Sequence, residues 1–209
     1  MRMEDAPYEY KQSSTEDVSK YLALWKSNDE YEMPDKSLRK LFTETYPRND
    51  EMDDVLIKVC SLNAIYSTNI LSNSLRFTVA KHIVDLDIDQ RLADKDKKLV
   101  NQIAKVKVND QKTRYLYSFA TKYCSHHFPE DYSMYDGYVA EMLMHFNQVD
   151  KFYNFEEDDL KNYPIYHAVI MAFRRFYGLQ AFNLKQIDIY LWQAGKEHFG
   201  EQNSRSKSK

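Results

Sequence analysis

The residue best placed to do chemistry is Asp136, a lone carboxylate that follows a proline-marked loop and stands just before an apolar helical pattern. Upstream, Leu116, Phe119, Ala120 and Tyr123 fall on one helical face in the stretch Thr113 to His127, and Pro129 ends it. Downstream, Val139, Met142, Leu143 and Phe146 restart the period, so the loop 128–135 hands the chain to a helix at Asp136. An acid there caps the first turn, and the helix dipole favours its ionised form. The same placement suits a base or a stabiliser of developing positive charge. A second constellation closes the apolar stretch Leu56 to Ile70, which abruptly acquires Asn63, Ser67, Thr68 and Asn69. These polar groups either cap the helix and bond the following turn or face a groove. Cys124, His126 and His127, with His145 or Asp131, are the metal-ligand types nearest one another. Their spacing matches no zinc pattern, and adjacent histidines on a helix diverge, so no metal is expected.

These residues need helices to position them. Ser14-Thr15-Glu16-Asp17 starts one carrying Val18, Tyr21, Leu22 and Trp25. Pro34 opens a second with Leu38, Leu41 and Phe42, closed by Pro47. Asn49-Asp50 caps a long third through Val55, Leu56, Val59, Leu62, Ile65 and Tyr66. A helix from about Leu75 to Val84, a connector at Asp85–Asp89 entering a short helix, and a charged turn at Asp94–Lys98 follow. Leu99, Val100, Ile103, Ala104 and Val106 predict one more short helix, and 108–112 a polar bridge. Phe152–Asp159 is an acidic, aromatic linker, and helices at roughly Pro164–Tyr177 and Leu184–Phe199 close the chain around Gly178. In the last of these, Ile187 to Trp192 reads as core. No β-hairpin is expected. The reading is an all-α, compact single domain of about eight or nine helices over 14–200, with a loose N-terminal arm at 1–13 and a disordered basic tail at 201–209.

Composition narrows the function. All four glycines, Gly137, Gly178, Gly195 and Gly200, lie in the last third, so the first 136 residues hold no standard P-loop or dinucleotide fingerprint. Seventeen tyrosines and eleven phenylalanines point to a thick core with polar tips at its edge. A net charge of −3 provides no overall attraction to nucleic acid, which leaves a local stripe as the only electrostatic route. No run approaches the roughly 18 apolar residues of a membrane span, the N-terminus lacks a signal pattern, and two cysteines are too few for a disulfide framework. A cytoplasmic protein with buried thiols and no cofactor is expected.

The order of these features resembles the helix-hairpin-helix DNA glycosylase superfamily over roughly residues 50–146. The strings around Tyr117–His127 and Tyr135–Val139 also resemble a bacterial family of unassigned function. The glycosylase resemblance implies that Asp136 is the catalytic acid/base or cation-stabilising residue in base excision. It implies duplex DNA as partner, with Val108–Ser118 as the hairpin and Asn63, Thr68, Asn69, Lys112, Arg114 and Lys122 as nucleic-acid-binding residues. The hairpin stretch has no glycine. Where bifunctional members carry a lysine just after the hairpin, this chain has Tyr117 and Ser118, with Lys112 before and Lys122 after. The implied activity is therefore monofunctional.

Two other readings stay open. One is a non-catalytic helical DNA- or protein-binding module in which Asp136 is only a cap. The other rests on Arg76 and His82, whose spacing resembles the short motif of HEPN-type ribonucleases. Arg174, Arg175 and Lys185 are a further basic group, read either as a phosphate stripe or as a solvated face.

Overall fold

The computed structural model describes residues 13–206, with side chains described to residue 200. Of the arm expected at 1–13, residues 1–12 lie outside the described residues, as do the last residues, 207–209. Among those described there are ten α-helices and one two-stranded sheet. The helices are α1 (Thr15–Lys26), α2 (Asp29–Lys40), α3 (Met52–Tyr66), α4 (Asn73–Asp85), α5 (Asp89–Ala93), α6 (Lys98–Ala104), α7 (Tyr117–His127), α8 (Gly137–Asp150), α9 (Tyr163–Phe176) and α10 (Leu184–Ser206). The all-helical expectation holds, and buried apolar side chains from Val18 to Ala194 form one continuous core. No helix among the described residues is long and apolar enough to cross a membrane.

Local chemistry explains most boundaries. Ser14 caps α1 by accepting the Asp17 N–H. Asn183 and Gln186 at the head of α10 exchange backbone N–H and side-chain oxygen reciprocally, a capping box. Gly178 follows α9 at φ +68°, the left-handed turn expected there. The 152–159 linker is drawn into the core by Phe152 and Phe155, then forms a 3-10 turn at Glu157–Lys161 capped by Glu156 and Asp159.

Three expectations need correction. α2 begins at Asp29, capped by Asn28, and Pro34 lies inside it. The proline removes one amide bond late in the first turns, where the matching carbonyl belongs to the exposed Glu30. α2 then runs into a π-turn at Leu41–Thr45. Asn49 does not cap α3. It turns inward, 2% exposed, and its Oδ1 accepts hydrogen bonds from Lys58 Nζ (2.6 Å) and Tyr123 Oη (2.5 Å). Residues 105–115 form a β-hairpin, β1 (Lys105–Asn109) against β2 (Lys112–Tyr115). The alternation Lys105-Val106-Lys107-Val108 puts Val106 in the core and lysines outside, a period of two that a helical reading of Val106 overlooks. Asn109 Oδ1 accepts the Gln111 N–H to close the turn. The α10 backbone is helical through Ser206.

Candidate functional site

The loop before Asp136 is held by side chains on three sides. Its Met134 N–H donates to Asp188 Oδ2 of α10 (2.7 Å), and the Met134 carbonyl accepts from Tyr166 Oη of α9 (2.6 Å). Tyr163 Oη donates to the Ser133 carbonyl at 3.2 Å. On the α7 side, Tyr135 N–H donates to Thr121 Oγ1 (3.0 Å), and Lys122 Nζ donates to the Tyr135 carbonyl (2.8 Å). Buried backbone polar groups need such partners, and this loop obtains them from side chains. Asp136 then caps α8, its Oδ1 accepting the Tyr138 N–H at 3.2 Å.

Asp136 lines a pocket of about 420 Å³. Lys122, 5% exposed at its side chain, faces Asp136 Oδ2 at 3.4 Å and donates to Ser118 Oγ at 2.7 Å. With the Tyr135 carbonyl, its three N–H groups have three acceptors. Burial pulls its pKa down, and the carboxylates of Asp136 and Asp188 oppose that shift. Across the pocket, Lys185 Nζ lies 2.5 Å from Asp35 Oδ1. Burial raises the Asp35 pKa, but Lys185 and further polar contacts outweigh it and hold the carboxyl below its usual value. Tyr66 Oη lies 3.1 Å from His126 Nε2 and 3.4 Å from Asp35 Oδ1. Burial pushes His126 down to about 3, so its ring is neutral.

The outer wall is aromatic. Trp192 packs edge-on to Trp25 and Tyr31, with centroids 5.9 and 5.3 Å away. Lys196 lies 5.0 Å above both the Tyr31 and Trp192 rings, and its Nζ donates to Tyr31 Oη at 2.7 Å. Positions 185, 188, 192 and 196 fall on one face of α10, which supplies that side of the pocket.

Asp188 is 5% exposed among the pocket walls, and burial raises its pKa to about 8. Its Oδ2 accepts the Met134 N–H, whereas Oδ1 has no hydrogen-bond partner. Motif reading misses this residue, although a signal exists: an acid set between Ile187 and Ile189 in a run with Leu184 and Leu191. The aromatic wall is likewise hidden in sequence, because Trp25, Tyr31 and Trp192 come from distant segments.

Of the residues expected to form a site, the pocket brings together Asp136 and Lys122. Asn63 and Thr68 are used internally. Asn63 Oδ1 accepts from Thr68 Oγ1 (2.9 Å) and the Ile70 N–H (3.0 Å), and its Nδ2 donates to the Ile70 carbonyl (3.2 Å). Those bonds pin a turn in which Ser67 and Asn69 both have positive φ, so Asn63 is buried rather than presented to a ligand. Asn69 is exposed in that turn but is not among the pocket walls, unlike its neighbour Ser67. Lys112 and Arg114 stand exposed on β2, also outside the walls. Arg76 donates to Asn73 Oδ1 at 2.8 Å on its own helix, and His82 Nε2 meets the Gln102 carbonyl at 2.9 Å. Arg76 and His82 thus have separate partners, and neither lines the pocket. His127 faces Asn49 and His126 faces Tyr66, so the two neighbours diverge. Among the described residues, no three His, Cys, Asp or Glu side chains converge on a metal-sized space.

Residues 17–131 match the family model HI_0787_N, described as an N-terminal domain. The chain belongs to the HI_0787_N family. It is 45% identical over 149 residues to an "Uncharacterized protein" of Haemophilus influenzae, a span covering 71% of this chain and 69% of that one. No solved structure matches. The HI_0787_N match contains Trp25, Asp35, Tyr66 and Lys122, while Asp136, Lys185, Asp188 and Trp192 lie beyond its end.

Proposed function

We propose that the pocket receives a nucleobase turned out of duplex DNA, and that the protein cleaves the bond between that base and its sugar as a monofunctional glycosylase. The observation that carries the reading is the placement of Asp136: a helix-capping carboxylate, anchored by a buried lysine, in the wall of an aromatic-sided pocket. A volume of about 420 Å³ lies in the ~300–1,000 Å³ range of small-ligand sites. Aromatic faces suit a flat base, since stacking is favourable with any nucleobase. As the glycosidic bond breaks, positive charge grows on the sugar, and the Asp136 carboxylate stabilises it or orients water towards it. Lys122, with every N–H engaged, positions Asp136 and is not the nucleophile.

The test is incubation with duplexes carrying a panel of modified bases, scored as alkali-labile abasic sites, for the wild type and Asp136→Asn. Wild type is expected to release at least one base, and the variant to be slower by about 10²-fold or more. Borohydride added during turnover should trap no protein–DNA adduct. Equal release by both proteins, or none by either, removes the catalytic assignment. Binding of a modified duplex without release assigns the chain to the non-catalytic module instead.

A further inference from the structure

Asp188 is the buried group in the pocket that neither capping nor ion pairing uses up. Its Oδ1 is without a hydrogen-bond partner, an unfavourable arrangement when a polar atom stays buried and unmet. Such an atom, buried on a side chain that lines a pocket, points to a partner that arrives with a ligand.

The surroundings decide which kind of partner. The backbone N–H of Met134 already donates to Oδ2 at 2.7 Å, so that oxygen acts as the carbonyl-like acceptor of the pair. A neutral carboxyl in this orientation has its hydroxyl on Oδ1 and has one hydrogen bond left to donate. We propose that Asp188 reads the ligand by donating a hydrogen bond from Oδ1 to an uncharged acceptor, of the kind an oxo group presents at the edge of a flat ring. This inference rests on the reading of the pocket as a nucleobase site and adds a substrate class to it: oxo-substituted bases.

The charged and titratable groups around Asp188 set its pH range. Lys122 of α7 and Lys185, one turn away on α10, favour its ionised form, as does the Met134 N–H. Tyr66 of α3 and Tyr163 and Tyr166 of α9 face it as neutral phenols, each pushed up by burial and by the Asp188 charge itself. Burial outweighs the lysines and leaves the carboxyl titrating at about 8. Below that pH it is a donor. Above it, a carboxylate would face the ligand's oxygen and repel it.

The chain's only two tryptophans, Trp25 and Trp192, both line the pocket, so their fluorescence reports what enters. Full-length protein is titrated at pH 6.5 with hypoxanthine and with purine, which differ by the oxo group. It is also titrated with 2-pyridone, a single oxo ring that is not a nucleobase and does not ionise near pH 8. Wild type is expected to favour hypoxanthine about fivefold to tenfold and to lose 2-pyridone affinity as pH rises past about 8. Asp188→Asn keeps a donor that cannot ionise, so its preference persists and the pH dependence disappears. Asp188→Leu loses the preference. An unchanged preference in Asp188→Leu, or the same pH dependence in Asp188→Asn as in wild type, overturns the assignment. Hypoxanthine binding that is indifferent to Asp188 sinks the assignment and leaves the nucleobase reading standing. Asp188-dependent binding of 2-pyridone alone does the reverse, and quenching by none of the three ligands removes both.

Discussion

At the scale of single residues, Asp188 ties stability to pH in a direction opposite to most carboxylates. Its pKa is 3.8 unfolded and about 8 folded, so the native state keeps a proton that the unfolded chain gives up. Stability from this group is therefore full below about pH 4 and declines as pH climbs towards about 8. Asp188→Asn lacks that dependence. In thermal melts, its advantage over wild type should be small at pH 4.5 and largest at pH 8. Parallel pH profiles for the two proteins would show that Asp188 is ionised throughout. Asp136 was legible because capping is local: Pro129, the loop and the restarted apolar period all mark it within a dozen residues. Asp188 is harder to recognise because its importance depends on Met134, 54 residues away in the chain.

At the scale of elements, the site depends on how closely α10 approaches α8. A Cβ built on Gly195 would lie 2.5 Å from the Tyr138 carbonyl oxygen and 2.9 Å from the Tyr138 Cβ. Both atoms belong to the first turn of α8, the turn whose Tyr138 N–H is held by Asp136. Alanine normally gains about 1 kcal/mol over glycine inside a helix. Here the contact is with backbone that cannot rotate away, and overpacking costs about 1–3 kcal/mol. Gly195→Ala should lower the melting temperature and displace Asp136 enough to slow the base release proposed for this pocket. A variant that melts higher and reacts at the wild-type rate would mean that α8 shifts freely. Helix content was legible from apolar periodicity, which is strong in α3, α8 and α9. The hairpin was not, since five residues of alternation abut a real helix and share its valines. The Asn63 turn was hidden for another reason: only the fold shows that Ser67 and Asn69 bend the chain back onto that side chain.

At the scale of the whole molecule, the buried His126 and the half-buried His127 and His167 shape the acid limb. Burial depresses His126 to about 3 and His167 to about 4, and holds His127 well below its ordinary 6.5. Each is neutral in the native state and gains a proton readily only when unfolded. Stability from these groups is complete above about pH 6.5 and is lost as pH falls from there towards 3–4. Three groups acting in this direction outnumber Asp188 acting in the other. The melting temperature should therefore drop steadily below about pH 6, and His126→Gln should flatten part of that slope in melts across pH 4–7. An acid limb with the same slope in that variant would mean that His126 does not contribute.

The boundary of the HI_0787_N match falls at residue 131, inside the loop that leads to Asp136. Lys122 and Tyr66 lie on one side of that boundary, and both carboxyls invoked for chemistry lie on the other. Substitutions confined to residues beyond 131 would change Asp136, Asp188 and Lys185 while leaving Lys122 and Tyr66 in place, so two chains that share the N-terminal region need not share the same pocket chemistry.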